Sequence, residues 1–278
     1  MKKISRRSFM AAAAVSVAAL AMTACGGSAS SAASSVASSA ASSEAASSAA
    51  AAELTTVEAG KLTMATNAAF PPYEMTTDAG EFEGIDVDTA KAIAEKLGLE
   101  LQIDDMDFDA ALLSVQQGKA DIVMAGVTVT DERKAVMDFS DSYATGIQSI
   151  IVPEGSDIAS PDDLAGKKIG TQRGTTGYIY CSDDFGDENV VAYDDGLTAV
   201  QALNNGQVDA VVIDNAPAQE FVAANPGLKV LDTSYAEEDY AIGMAKGSSL
   251  EAAVNAALEE LKADGTLQAI VDKYITAE

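Results

Sequence analysis

Gly126, Thr128 and Arg133 are residues whose types and spacing could bind a small ligand. They lie between an apolar run at 120–124, which predicts a buried strand, and a helix start capped by Thr130. Glycine lets a ligand approach the backbone, a threonine hydroxyl offers a hydrogen bond, and a guanidinium matches a carboxylate. Small ligands bind at this end of strands in open α/β sheets. The alternative is a glycine turn, a capping threonine and a solvated arginine.

Three aromatic residues follow predicted strands in the same way. Phe70 and Tyr73 flank two prolines just after a strand predicted at 61–66, and Phe108 follows a strand predicted from Leu99. The prolines exclude helix and stiffen the loop. Each ring therefore lies at the strand edge where Arg133 is expected, although a core position is the alternative for all three.

The second half of the chain offers two more binding features. The segment 170–177 joins a strand to a helix, but it lacks the Gly-Lys-Ser/Thr ending of a nucleotide-binding loop. Its free backbone N–H groups still suit a carboxylate. Asp214 ends a predicted strand at 208–214, where it can receive a cation or simply cap the next helix.

Neither a metal nor a cofactor is predicted. The sequence has no histidine, the commonest general base and metal ligand. The acidic run at 104–109 resembles a calcium loop, but Ala110 and Gln116 replace its glycine and its closing glutamate. Catalysis by histidine and a calcium site are therefore both excluded.

The elements that position these residues alternate between strands and helices from Leu54 onward. Strands are predicted near 61–66, 99–103, 146–152, 167–171, 208–214 and 228–231, with helices near 88–97, 109–117, 160–163, 250–261 and 267–275. Such alternation predicts an α/β fold with parallel sheets covered by helices on both faces. About 225 residues suit two lobes better than one core.

The N-terminal residues have the features of an export signal. Residues 1–24 combine a basic start, an apolar run and small residues, and the paired arginines resemble a twin-arginine signal, although general secretion remains open. Met22-Thr23-Ala24-Cys25 resembles a lipobox, which implies cleavage before Cys25 and lipidation of its thiol. The alternative is a chance cysteine after a plain signal. The Ser/Ala-rich stretch at 25–53 predicts a flexible tether.

Charge and cysteine content limit the partners further. Loss of residues 1–24 removes four basic and no acidic residues, which changes the formal net charge from −26 to −30. Such a charge argues against nucleic acid and against electrostatic docking on anionic lipid. With Cys25 lipidated, Cys181 has no partner, so no disulfide is predicted.

Six motifs in order resemble those of the polar amino-acid-binding proteins of ATP-driven (ABC-type) bacterial importers. They are 67–73, 84–88, 126–133, 138–141, 174–177 and Asp214, and the resemblance covers 54–278. It implies a periplasmic-binding-protein fold of type II, in which two Rossmann-like lobes close on an amino acid and a two-strand hinge near 143–147 and 238–242 joins them. The implied lobe boundaries are 54–144 with 240–278, and 145–239. It also implies a monomer that is not an enzyme, is anchored outside the cytoplasm and delivers its ligand to a permease.

The resemblance also assigns roles to site residues. Those implied to hold the ligand carboxylate are Arg133, Thr128, Thr175 and Thr176. Asp214 and the Gly126 carbonyl are implied to take the ammonium group. Residues implied to surround the side chain are Phe70, Phe108 and Tyr73, with Asn67 and Gln172 at its far end.

One departure from the family pattern leaves the ligand open. Many relatives that bind cationic side chains carry aspartate where this chain has Asn67. The neutral amide weakens the case for arginine or lysine and admits glutamine, asparagine, cystine or other neutral ligands. Basic ligands stay possible, because Glu74 and Asp107 are close in sequence to the pocket loops. A dehydratase-like enzyme and a ligand-sensing lipoprotein are the alternatives in other functional classes.

Overall fold

A computed structural model of the protein describes residues 54–275. The predicted signal sequence, Cys25 and the tether at 25–53 lie outside the described residues. The α-helices of the described part are α1 (Ile85–Leu97), α2 (Phe108–Gln116), α3 (Asp131–Val136), α4 (Thr176–Phe185), α5 (Gly196–Asn204), α6 (Asn215–Ala224), α7 (Glu251–Ala263) and α8 (Thr266–Tyr274). Its strands are β1 (Lys61–Thr66), β2 (Ala69–Phe70), β3 (Glu74–Thr76), β4 (Phe82–Glu83), β5 (Glu100–Asp105), β6 (Ile122–Val123), β7 (Met137–Phe139), β8 (Ala144–Pro153), β9 (Ile169–Gln172), β10 (Val190–Tyr193), β11 (Ala210–Asp214), β12 (Leu228–Val230), β13 (Ala236–Tyr240) and β14 (Gly243–Ala245).

Two separate sheets form the centres of two lobes. The first sheet has the strand order β5-β1-β6-β14-β7, and the second has the order β10-β9-β11-β8-β12, with β13 paired to β8. A small sheet of β2, β3 and β4 forms the loop region after β1. Apolar side chains such as Leu62 and Met64 in the first sheet and Ile150 and Ile169 in the second are fully buried. Both sheets are therefore covered by buried apolar side chains, and one buried cluster includes residues of both, such as Met64 of β1 and Ile213 of β11.

The expectation of purely parallel sheets is wrong for two strands. β1 is parallel to β5 and β6, and β9 is parallel to β10 and β11, but β14 and β8 are antiparallel to their neighbours. Each of these two strands comes directly after the chain has passed from one sheet to the other. A helical crossover, which would bring the chain back parallel, is missing at both points.

The passage between the lobes uses two paired strands. β8 follows β7 of the first sheet, and β13 leads into β14, which returns the chain to the first sheet. β8 and β13 are antiparallel, in register from Ala144 opposite Tyr240 to Gln148 opposite Ala236. Only these two paired strands cross between the sheets in the described residues, an arrangement typical of a hinge.

Local differences from the sequence-based expectations occur at element ends. α1 begins at Ile85, three residues before the predicted start, after Gly84 with φ 133°. The helix capped by Thr130 ends at Val136, so that Met137 begins β7, and the helix expected at Pro161 is a 3₁₀ helix of four residues. No helix between residues 54 and 275 is long and apolar enough to cross a membrane.

Candidate functional site

A cavity between the two sheets brings together ten of the eleven residues for which the sequence predicted ligand contacts. It lies at the ends of β1, β6, β9 and β11, where loops lead from each strand toward a helix. Its lining residues are Asn67, Phe70, Glu74, Phe108, Ala125, Gly126, Thr128, Arg133, Gln172, Thr175, Thr176 and Asp214. Tyr73 is the predicted residue that does not line it.

The cleft between the lobes is closed around this cavity. The free volume at its centre is about 20 Å³, room for about one water molecule. The Gln172 amide donates to Asn67 Oδ1 across the cleft at 2.8 Å, and Arg133 Nη2 donates to the Gly174 carbonyl at 3.2 Å. The cavity in this closed arrangement is therefore too small for a ligand larger than about one water molecule.

Arg133 is a buried cation that faces the cavity. Thr130 caps α3 by accepting a hydrogen bond from the Arg133 N–H at 3.2 Å, and the side chain folds back so that Nη1 donates to the Thr128 carbonyl at 2.7 Å. Its guanidinium lies 5.4 Å from the centre of the Phe108 ring. Burial lowers its pKa, opposed chiefly by the nearby charge of Glu238. A solvated surface arginine is excluded, since only 9% of the residue is exposed.

Arg133 has no direct countercharge. Within the described chain, no carboxylate forms a salt bridge with it, and its observed acceptors are two backbone carbonyls. A guanidinium has five N–H donors, so further donors remain for an anionic group. The arrangement suits a carboxylate in the cavity, which would complete the pairing of a buried charge.

Asp214 is a buried carboxylate on the other lobe. It ends β11 and precedes α6, but its side chain makes no capping hydrogen bond. Instead it accepts hydrogen bonds from the Gln148 amide at 2.9 Å and from the Tyr240 hydroxyl. Burial, assisted by the charge of Glu238, raises the pKa of Asp214 to about 7. A cation in the cavity would stabilise its charged form.

Gly126 occupies a backbone position that only glycine fits well. Its φ is +54°, and an added Cβ would lie 2.9 Å from the Phe70 ring and 3.3 Å from that of Tyr240. Its N–H donates to Asp86 Oδ2 at 3.0 Å. The glycine therefore lets two aromatic rings approach the backbone at the floor of the cavity.

Two phenylalanines and two amides form the walls where a side chain would lie. Phe70 and Phe108 line the cavity directly, while Tyr73 stacks on Phe70 with ring centres 5.9 Å apart. The Asn67 amide donates to the Met106 carbonyl at 3.0 Å, and Gln172 bonds to Asn67 as described above. This end of the cavity is therefore closed by neutral groups, and Tyr73 supports Phe70.

The threonine hydroxyls at the carboxylate end already have partners. Thr175 donates to the Gln172 carbonyl at 2.8 Å and caps α4 by accepting from the Tyr178 N–H. Thr128 and Thr176 donate to Glu238 Oε2 at 3.2 and 3.0 Å. The hydroxyls are thus held in place by the protein before any ligand contact.

Sequence reasoning missed Glu238 and did not assign Glu74 a role. Glu238 on β13 is buried and also accepts from Gln148 at 2.9 Å. Its position two residues before the buried Tyr240 puts both on one face of a strand, which is the signal that could have identified it. Glu74 lines the cavity, whereas Asp107, the other acid expected near it, is exposed at the rim.

Comparisons with known proteins agree with this geometry. Residues 62–277 match the model of the bacterial extracellular solute-binding proteins, family 3. The L-cystine-binding protein TcyJ of Escherichia coli K12 is 34% identical over 80% of this chain and 85% of its own length. A probable histidine-binding protein of Neisseria gonorrhoeae is 33% identical over 96% of this chain and 95% of its own length.

A solved structure supports the same relationship. The arginine-, lysine-, histidine-binding protein ArtJ of Geobacillus stearothermophilus superposes with a TM-score of 0.75 at 36% identity, over 78% of this chain and 96% of that one. These relatives are amino-acid-binding proteins of ABC transport systems, not enzymes, and they have the two-lobed periplasmic-binding-protein fold. With its own two lobes and its match over residues 62–277, the chain belongs to family 3 of the bacterial extracellular solute-binding proteins.

Proposed function

We propose that this protein is a lipid-anchored, extracytoplasmic binding protein that captures a free polar amino acid and delivers it to an ABC-type permease. The observation that carries the proposal is the pair formed by Arg133 and Asp214. These are a buried cation and a buried carboxylate that come from opposite lobes and line one closed cavity. An α-amino acid carries the two complementary charges on neighbouring atoms.

The proposed contacts follow from this pair. Arg133, with Thr128, Thr175 and Thr176, takes the ligand carboxylate at the start of α4. The threonines contribute backbone N–H groups, because their hydroxyl protons are donated to Glu238 and to the Gln172 carbonyl. Asp214, with the Gly126 carbonyl, takes the ammonium group. Residues proposed to surround the side chain are Phe70 and Phe108 with Tyr73 behind them, and Asn67 and Gln172 at the far end.

Closure of the lobes is the proposed working motion. An open form binds the ligand on one lobe, and the other lobe then excludes water and completes both charge pairs. Charge pairs strengthen as water leaves, because the local dielectric falls. The proposed boundaries at 144/145 and 239/240 fall within β8 and β13, the paired strands about which the lobes would turn. The closed, loaded monomer is the form that a permease would recognise.

The proposed anchor is a lipid on Cys25. It rests on the lipobox-like Met22-Thr23-Ala24-Cys25 and on the Ser/Ala-rich residues that follow. A tether of this composition would let the binding domain reach a permease in the same membrane.

A ligand panel tests the proposed function. The mature protein without its lipid is heated with each of the twenty common amino acids and with cystine, and positive results are repeated by calorimetry. A true ligand at 100 times its dissociation constant adds about 2.7 kcal/mol to the unfolding free energy, which raises the melting temperature. If no compound in the panel shifts the transition, the proposed function is wrong.

Replacement of Cys25 by serine tests the anchor. We expect the Cys25→Ser protein to move from the membrane to the soluble fraction, with unchanged ligand affinity, because the serine oxygen cannot take the thioether-linked lipid. The matched control is Cys181→Ser, at the buried cysteine of the second lobe, which should stay with the membrane. A Cys25→Ser protein that has lost residues 1–24, as shown by mass spectrometry, and still remains in the membrane fraction contradicts lipidation at this residue.

A further inference from the structure

Glu74 is a fully buried acid with no hydrogen-bond donor. It begins β3, none of its surface is exposed, and neither carboxyl oxygen has a partner among the described residues. It also lines the ligand cavity. An ionised carboxylate that is fully buried and has no hydrogen-bond donor costs a large free energy. The burial of Glu74 therefore argues for a protonated carboxyl group that has a hydrogen-bond partner.

Asp86 on α1 faces Glu74, and one of its carboxyl oxygens also lacks a hydrogen-bond donor. Asp86 is also fully buried, and its Oδ2 accepts hydrogen bonds from the Gly126 N–H at 3.0 Å and the Tyr143 hydroxyl at 2.8 Å. Its Oδ1 has no donor. A single proton placed between the two carboxyl groups would give both of them a hydrogen bond, as in other carboxyl pairs that share a proton.

The surroundings decide which acid keeps the proton. Burial raises the pKa of both, but the donors Gly126 and Tyr143 favour the charged form of Asp86, whose pKa is about 6. The pKa of Glu74 lies well above its ordinary value because of burial and of Asp86. The titratable groups that face Glu74 are all acids, namely Tyr73 in the same loop, Asp86 on α1, Asp105 at the end of β5, Tyr143 before β8, and Asp214 at the end of β11.

We propose that Glu74 is a neutral carboxylic acid of the ligand cavity, which donates its proton to Asp86 and offers its other oxygen to the ammonium group of the ligand. Glu74 is then a ligand-binding residue, and Asp86 is a positioning residue. Through Gly126 and Tyr143, Asp86 links the floor of the cavity to the start of β8. The contact between Glu74 and a ligand ammonium group rests on the proposed function. The protonated state of Glu74 does not.

The neutral state explains how the cavity accommodates several acids. The charges of Asp214 and Glu238 already act at long range on one cation, Arg133, in a cavity with little room for water. A third unpaired anion at Glu74 would repel Asp214 and Asp86, whereas a neutral acid can still accept a hydrogen bond through its carbonyl oxygen. A ligand ammonium group would therefore meet one full countercharge at Asp214 and a neutral acceptor at Glu74.

Glu74→Gln provides the decisive binding test. Glutamine is neutral, donates to Asp86 through its N–H and keeps one acceptor oxygen, so we expect the affinity for the panel ligand to stay within about threefold. Glu74→Leu has no polar atoms, and we expect it to lose at least about tenfold. The matched control for the loss of a glutamate charge is Glu81→Gln at an exposed site. A loss of more than about tenfold in Glu74→Gln, with Glu81→Gln unchanged, would show that Glu74 acts as an anion and would overturn the proposal.

Infrared spectroscopy tests the proton without a ligand. We expect the ligand-free protein at neutral pH to show the carbonyl stretch of a protonated carboxyl group, and we expect Glu74→Gln to lose this band. Since Asp214 is also partly protonated near neutral pH, the spectra are compared in an Asp214→Asn background. If the spectrum of Asp214→Asn does not differ in this band from that of the double variant with Glu74→Gln, Glu74 is ionised and the proposal is wrong. If the protein bound no compound in the panel, the proposed function would be wrong. The infrared comparison would still decide whether Glu74 is protonated.

Discussion

Replacement of Arg133 by alanine is expected to weaken the binding of the free amino acid by about ten- to 150-fold. The guanidinium is buried and has no carboxylate partner in the described chain, so the ligand carboxylate is the group that would pair with it. A hydrogen bond to a charged group contributes about 1.5–3 kcal/mol, which corresponds to that range in the dissociation constant. Isothermal titration calorimetry with the panel ligand measures the change.

The α-carboxamide of the ligand distinguishes two effects of Arg133→Ala on affinity, which are the loss of the contact with the ligand carboxylate and a weaker closure of the lobes. Arg133 also bonds to Gly174 on the opposite lobe, so its removal weakens a contact between the lobes as well. The wild-type protein should prefer the free acid strongly over its α-carboxamide, because only the acid pairs with the guanidinium. Arg133→Ala should lose this preference and bind the two nearly equally.

Two further variants complete the Arg133 test. Arg133→Lys keeps the charge but not the planar fork, so an intermediate affinity is expected. Arg173→Ala removes an exposed arginine that pairs with Asp194 at 3.5 Å on the rim, and it should change affinity by less than about twofold. If Arg133→Ala bound as tightly as wild type, the carboxylate would have to be held elsewhere.

Replacement of Asp214 by asparagine should weaken binding to a similar degree and remove a pH dependence. Asparagine keeps the shape of the side chain but cannot pair with the ammonium group. The expected loss is again about ten- to 150-fold, measured by calorimetry at pH 7.5. An exposed aspartate of the same lobe, Asp162, serves as the matched control as Asp162→Asn.

The sign of the pH effect follows from the raised pKa of Asp214. Burial raises that pKa from its ordinary value of 3.8 to about 7, so the free protein carries a proton on Asp214 below pH 7. The ligand ammonium favours the ionised form, so binding below pH 7 must release this proton. The affinity of the wild type should therefore rise with pH up to about 7, by as much as about tenfold per unit, and then level off.

Calorimetry in buffers with different ionisation enthalpies counts the released protons. We expect up to about one proton per ligand at pH 6 in the wild type and a smaller number in Asp214→Asn. Asp86 also titrates near pH 6, so the difference between the two proteins, and not the wild-type value alone, reports Asp214. A wild type with constant affinity from pH 5 to 8 would contradict the assignment.

Candidate binding residues could be picked out from the sequence because they lie next to helix caps and strand ends. Arg133 follows a capping threonine, and Phe108 and Asp214 lie at strand ends, so each could be placed from a few neighbouring residues. Ten of the eleven predicted contact residues line one cavity, since the strands within each sheet end at the same edge and the two lobes close on each other at these edges. The ambiguity between a helix cap and a ligand carboxylate at Asp214 could not be resolved in this way. Its hydrogen bonds to Gln148 and Tyr240 depend on residues far along the chain.

The features that local sequence patterns did not predict also depend on residues far apart in the chain. The reversed direction of β8 and β14 follows from passages between lobes that have no helical crossover, and no short sequence pattern records a missing crossover. Tyr73 was expected near the ligand side chain, and it lies behind Phe70, where stacking on Phe70 and contact with Tyr240 bury its ring. Which side of a loop a ring occupies depends on what packs against it.

By itself the sequence determined the alternation of strands and helices, the α/β class and the residues capable of pairing with a zwitterion. Apolar periodicity, caps and strand ends extend over only a few residues and can be read locally. Only the tertiary structure decided that Glu238 holds Thr128, 110 residues away, and that Glu74 faces Asp86 in a place without donors. The cost of burying a charge depends on all the groups that surround it, and those groups meet only when the two lobes fold and close.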